Sequence, residues 1–258
     1  MIPERVLDGQ RYNQKGNSMF YFTGDTHGDF SRVERFCENV NPTREDVLII
    51  LGDAGINYYG GRRDMNAKRR LAQLPLTLFS IHGNHERRPS TIPSYHTERW
   101  NDGEVYVEDE YPNLLFAVDG FFYTFEGVQT FVVGGAYSVD KYYRLANNWH
   151  WWPDEQPDEA TKRRVEQQLN AHEWQTDIVL THTCPLRYEP TEVFLPFIDQ
   201  SKVDKSTEEW LDTIEHRLQY KQWYCGHYHT EKAIDNLTFM FESIRAFPTI
   251  GELNGEKT

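Results

Sequence analysis

Asp25 and His27 follow the apolar run MFYFTG, Asp53 follows VLIILG, Asn84 and His85 follow LTLFSIHG, His182 follows DIVLT, and His227 and His229 follow QWYCG. Carboxylate oxygen, carboxamide oxygen and imidazole nitrogen together suit divalent Mn, Fe, Zn, Co or Ni better than Ca or Mg, and no thiolate in the set points to a structural zinc site. The set exceeds what one tetrahedral ion needs and suffices for two ions sharing a bridging carboxylate. Taken singly, an Asp at a strand end is an ordinary turn or helix cap, and a His after a strand is an ordinary core or surface residue. Their recurrence at successive strand ends is what makes the set a metal site.

Such a cluster needs a scaffold that brings strand ends together, and the C-terminal ends of parallel strands in an α/β sheet face one crevice. The pattern supplies it. Residues 19 to 24, 47 to 52 and 76 to 81 read as buried strands, with helices over 29 to 40 and around 65 to 74 between them. Strand, helix and strand at this spacing imply parallel strands with right-handed crossovers. Residues 104 to 134 change to short β-rich runs with turns at Pro112-Asn113, Asp119-Gly120 and Glu126-Gly127, which predicts consecutive hairpins. A helix follows at 158 to 172, a strand at 177 to 181, and a helix at 206 to 219 with Ser206 and Glu209 at capping-box spacing. Strands at 222 to 226, 232 to 235 and 237 to 243 close a layered α/β protein that gains antiparallel strands in its second half. One domain over residues 1 to 258 is expected, with its motifs between about 19 and 243 and the hairpins and an aromatic loop at about 104 to 157. The ends, 1 to 17 and 251 to 258, read as peripheral.

GDTHG (24 to 28), GDAG (52 to 55), GNHE (83 to 86), the histidine of THTCP (181 to 185) and GHYH (226 to 229) resemble, in order, the five motifs of the calcineurin-like metallophosphoesterase superfamily. The resemblance implies a four-layer α/β/β/α sandwich with a dinuclear site at the C-terminal ends of its strands. It implies that Asp25, His27 and His229 hold one ion, that Asn84, His182 and His227 hold the other, and that Asp53 bridges them. His85 matches the family histidine that stabilises the transition state or protonates the leaving oxygen, so His85 and Asp53 are the implied catalytic residues. Two divalent ions, with manganese the first expectation and Fe, Zn, Ni or Co the others, would lower the pKa of a shared water and guide an in-line attack on phosphorus. One departure stands out: Ile56 occupies the position where many family members carry a second Asp that orients the catalytic histidine. This weakens a protein phosphatase or diadenosine tetraphosphatase reading.

Candidate phosphate contacts are the basic pairs Arg62-Arg63 and Arg87-Arg88, and Lys141 and Arg144 in the aromatic stretch 134 to 159. The Trp residues of that stretch read instead as an apolar lid over the second core layer. A formal net charge of -13 disfavours long duplex nucleic acid, and 38% hydrophobic with 26% charged residues excludes disorder as the default. Three scattered cysteines without a CxxC pair, an N-terminus without a signal-type apolar core and the lack of a membrane-length apolar window suggest a cytoplasmic protein. The expected function is hydrolysis of phosphate mono- or diesters, with a nucleotide or other small phosphoester as substrate. A metal-dependent nuclease acting on short or single-stranded ends and a non-catalytic interaction module on the same fold are the alternatives. Oligomeric state has no signature in the sequence.

Overall fold

In this computed structural model residues 18 to 255 are described, so the expectations for 1 to 17 and for the last three residues lie outside the described residues. The chain runs β1 (Phe20–Thr23), α1 (Ser31–Val40), β2 (Val47–Ile50), α2 (Arg62–Leu71), β3 (Thr77–Ser80), β4 (His96–Trp100), β5 (Gly103–Val107) and β6 (Leu114–Ala117). It continues with β7 (Phe122–Phe125), β8 (Val128–Val133), α3 (Lys141–Ala146), α4 (Glu159–Ala171), β9 (Ile178–Thr181), α5 (Ser206–Glu215) and β10 (Gln222–Cys225). Then come β11 (Lys232–Ile234), β12 (Leu237–Phe239), β13 (Arg245–Ala246) and α6 (Ile250–Leu253).

Two sheets form, a seven-stranded one ordered β13-β1-β2-β3-β6-β5-β4 and a six-stranded one ordered β11-β12-β10-β9-β8-β7. The unbroken apolar run of β2 follows from burial on both faces. Val47 and Ile49 point into the core between the sheets, with Phe20, Phe22, Phe79 and, from the second sheet, Val132, Ile178 and Leu180. Leu48 and Ile50 point outward, under Val33, Phe36 and Cys37 of α1 and Leu71 of α2. On the far side Val165 and Leu169 of α4 and Trp210, Leu211 and Ile214 of α5 cover Phe131, Val179 and Trp223. The result is the expected α/β/β/α sandwich. Parallel pairings β1 with β2 and β2 with β3 in one sheet, and β9 with β10 in the other, align the strand ends that carry the candidate ligands.

Several details depart from the sequence reading. The turn at Asp119-Gly120 does not close a hairpin: β6 lies in the first sheet and β7 in the second, so the chain crosses between sheets there. Asp119 fixes the crossing by accepting the Gly134 N–H at 2.7 Å and pairing with Arg88. The hairpin at Glu126-Gly127 does form, with φ of 51° and 80°, the two positive values of a type I′ turn. Helix α2 starts at Arg62, earlier than expected, because the Asp64 carboxylate accepts the N–H groups of Tyr59 at 2.9 Å and Gly60 at 2.6 Å. Ser206 makes no capping box; its N–H donates to Asp204 and its hydroxyl to Gln156. The strand expected over 237 to 243 ends at Phe239, and the chain crosses back so that β13 pairs with β1.

Candidate metal centre

The loops after β1, β2 and β3 and those after β9 and β10 meet where the two sheets face each other. Backbone bonds lock them: Thr26 and His27 N–H both donate to the Asp53 carbonyl, at 3.2 and 2.8 Å, and Gly226 N–H donates to the His182 carbonyl at 2.9 Å. Close approach demands glycine in these loops, most tightly at Gly83 and Gly52. A Cβ on Gly83 would lie 2.0 Å from Asp53 Oδ1, and one on Gly52, at φ 95°, would lie 2.0 Å from His182 Nδ1.

Asp53 sits in the middle. Its Oδ1 accepts the His85 backbone N–H at 2.8 Å and lies 3.7 Å from His182 Nε2, while Oδ2 lies 3.8 Å from His27 Nδ1 and 3.9 Å from His85 Nε2. Asp25 Oδ2 is 3.2 Å from His229 Nε2 and 3.7 Å from His27 Nε2, and Oδ1 accepts the His227 N–H at 2.9 Å. Three groups, Asp25-His27-His229, His27-Asp53-His85 and Asp25-Asp53-His182, each bring three donor atoms within 4.8 Å of one another. The His227 ring packs 5.0 Å from that of His182, and Asn84 lies on the same side. All the sequence-derived ligand candidates therefore converge.

The donor set fits cations on an internal observation. His182 Nδ1 lies 2.8 Å from the Leu51 carbonyl, which fixes the Nδ1–H tautomer of the neutral ring and leaves Nε2 bare. Asn84 donates through Nδ2 to Ser138 Oγ at 2.9 Å, so its Oδ1 faces His182 Nε2 at 2.8 Å. Two lone pairs then point at one another, an arrangement that a shared cation satisfies. Asp25 Oδ2 is buried without a hydrogen-bond partner among the described residues. The electrostatics agree. Burial alone would raise the Asp53 carboxyl, but His85, His182 and His27 hold it far below the usual range, and His229, His182 and His27 likewise lower Asp25 against its burial. Burial pushes the His227 imidazole down to about 3, keeping its ring neutral for ligation.

The His85 imidazole is held below its ordinary pKa. Burial lowers it, Asp53 opposes this, and the Arg144 guanidinium lowers it further. Arg144 Nη2 contacts both ring nitrogens, lying 2.6 Å from Nε2, although Arg144 is distant in sequence. The guanidinium is held in turn by Asp140 at 2.8 Å and the His150 carbonyl at 3.3 Å. Ile56, at the position of the absent Asp, is fully buried in the outer core.

A cavity of about 380 Å³ opens beside Asp53, Asn84, His85 and His227. Arg87, Arg88 and Lys141 do not line it. Arg88 is tied to Asp119 and to the Asp154 carbonyl, Arg87 to the Thr91 carbonyl, and Lys141 lies over the Trp151 ring at 4.1 Å. Arg63 lies over Tyr59. Of the sequence-derived substrate contacts, Arg144 is the one that reaches the cluster. Glu86 escaped the sequence reading: fully buried, it accepts the N–H of Gly55 at 2.9 Å and of Gly83 at 3.3 Å, joining two ligand loops. Burial pushes its carboxyl up to about 8. Ser138 escaped too, for no spacing links it to Asn84.

A two-sheet α/β sandwich that gathers aspartates and histidines from the strand ends of both sheets defines a class of proteins built around a metal centre. The family model of calcineurin-like phosphoesterases matches residues 19–231, and the chain belongs to that family. Among solved structures, TT1561 of Thermus thermophilus is similar at 13% identity and TM-score 0.45, covering 88% of this chain and 89% of that one. The protein of unknown function AQ665 from Aquifex aeolicus is similar at 14% identity and TM-score 0.32, covering 93% and 94%. At these scores neither likeness adds to the family assignment. No curated protein sequence matches significantly. Family and cluster together support a metal-dependent phosphoester hydrolase. Among the described residues no helix is long and apolar enough to cross a membrane.

Proposed function

We propose that this protein is a dinuclear metal-dependent phosphoesterase that hydrolyses mono- or diesters of a small phosphoester. The observation that carries the reading is the convergence on Asp53 of two half-sites, Asp25 with His27 and His229, and Asn84 with His182 and His227. Two divalent ions held by these residues, manganese first among the candidates, would supply charge to neutralise phosphoryl oxygens and to lower the pKa of a water toward neutral. The chain's own groups do the rest. Asp53 stays ionised because the surrounding histidines hold its pKa down. The Leu51 carbonyl fixes the ring of His182, and Ser138 fixes the amide of Asn84.

His85 is neutral at pH 7 and accepts a hydrogen bond from Arg144, so the fixed positive charge behind it belongs to Arg144, outside the cavity lining. In this reading Arg144 meets a phosphoryl oxygen with the fork geometry of guanidinium, and His85 stands beside the leaving oxygen. Asp140 and Arg144 thus take over the orienting of His85 where Ile56 replaces the family Asp. The three cysteines are free and buried, which suits a reducing compartment such as the cytoplasm, the location we assign.

The test is hydrolysis of bis(p-nitrophenyl) phosphate and p-nitrophenyl phosphate by metal-stripped protein reloaded with Mn, Ni, Zn or Mg. Metal-dependent release, abolished in Asp53→Asn and cut roughly 10²-fold in Arg144→Gln, is the expected result. No release with any metal despite two bound ions would overturn the catalytic reading in favour of a binding module. Faster cleavage of short single-stranded oligonucleotides than of either ester would move it to a nuclease.

A further inference from the structure

The cavity beside the metal ligands has two unlike parts. One end is the cluster itself; the rest of the wall is apolar, formed by Tyr137, Val139, Phe194, Leu195, Ile198 and Val203. Val193, also in the wall, is 39% exposed and Leu195 48%, so the rim presents hydrocarbon that the fold leaves uncovered. Phe194 lies parallel to Tyr228, 6.1 Å between ring centres, which extends an aromatic surface toward His227 and His229.

The charges in the wall are all of one sign. Asp140, Glu189 and Glu208 line the cavity, and no Lys or Arg among the described residues does. Lys205 neutralises Glu189 at 2.6 Å from outside the lining. Glu208 is 4% exposed; its Oε1 accepts the Thr183 hydroxyl at 2.7 Å, and its Oε2 is buried without a hydrogen-bond partner among the described residues.

We propose that the organic group of the substrate is an uncharged, mainly apolar chain or ring seated against Phe194, Leu195 and Ile198, on an ester with a single phosphoryl group. This assignment rests on the phosphoesterase reading above and narrows it. A second phosphate would meet the buried Glu208 carboxyl with no Lys or Arg among the described lining residues to receive it, so polyphosphates and oligonucleotides do not belong here.

The experiment is equilibrium binding to the Mn-loaded full chain of methylphosphonate, hexylphosphonate and hexane-1,6-bisphosphonate, none of which contains a hydrolysable ester. Each methylene that becomes buried adds roughly fourfold in affinity. Hexylphosphonate is therefore expected to bind at least ~10-fold tighter than methylphosphonate. The bisphosphonate is expected to bind no tighter than methylphosphonate. Leu195→Asp, at an exposed position where folding is not at stake, should bring the hexyl-to-methyl ratio toward one. Equal affinity for the two monophosphonates, tighter binding of the bisphosphonate, or an undiminished ratio in Leu195→Asp would overturn the apolar assignment and leave the phosphoesterase reading standing. Failure of every phosphonate to bind the loaded protein would overturn both.

Discussion

His27, Asp53, His227 and His229 hold positive φ, at 47°, 48°, 67° and 49°. Each such residue costs ~1–2 kcal/mol against an ordinary backbone, and four of them in one cluster store strain where the ligands are aimed. This was not legible in the sequence, where GDTHG and GHYH display the donors and not the backbone that turns them inward. The donors themselves were legible because metal binding restricts residue type so tightly. Glu86 and Ser138 were not, since an ordinary Glu or Ser gains its role only from folding. Gly83→Ala forces a Cβ against Asp53 Oδ1 and its backbone nitrogen. It should lower stability by roughly 2–3 kcal/mol in urea unfolding and weaken metal binding in calorimetry at the same time. For Glu208, raised from an ordinary 4.5 to about 7, burial disfavours the charged form. Its stabilising contribution is full below the unfolded-state pKa and is lost as pH rises through about 7. Wild type should therefore lose up to ~3 kcal/mol more than Glu208→Gln between pH 4.5 and 8, measured by thermal melts at fixed metal content.

At the scale of elements, hydrophobic period carried most of the reading. Strands β1, β2, β3, β9 and β10 appeared where their buried runs predict them, each one or two residues shorter than the run. Strand β4 did not, because HTERW is charged and its first four residues are exposed on a sheet edge, so no apolar pattern marks it. Turn chemistry located the break at Asp119-Gly120, yet no local signal says which sheet receives the next strand. That choice is made by Asp119, which binds Gly134 N–H with one oxygen and Arg88 with the other. Asp119→Ala would leave the largely buried Arg88 guanidinium without its carboxylate. The expected loss is roughly 3 kcal/mol in denaturant unfolding, with the double variant Asp119→Ala, Arg88→Met recovering part of it.

Over the whole molecule, the buried carboxylates of Asp25 and Asp53 repel each other inside a chain of net charge -13. Bound divalent ions relieve that repulsion, and binding only to the native state stabilises it. Removal of metal with EDTA should lower the melting temperature by several degrees, and Mn should restore it in a concentration-dependent way; in Asp53→Asn the restoration should be much smaller. An unchanged melting temperature would mean that the cluster binds no ion tightly.

The facing of His27 and His229, 2.8 Å apart across 202 positions of sequence, has a consequence for biogenesis. A chain emerging from the ribosome exposes Asp25 and His27 some 200 residues before His229. The cluster therefore cannot close until almost the whole domain has been synthesised. Ion capture thereby reports that synthesis has passed residue 229, and chains released before it should retain little ion and be the first taken by proteases.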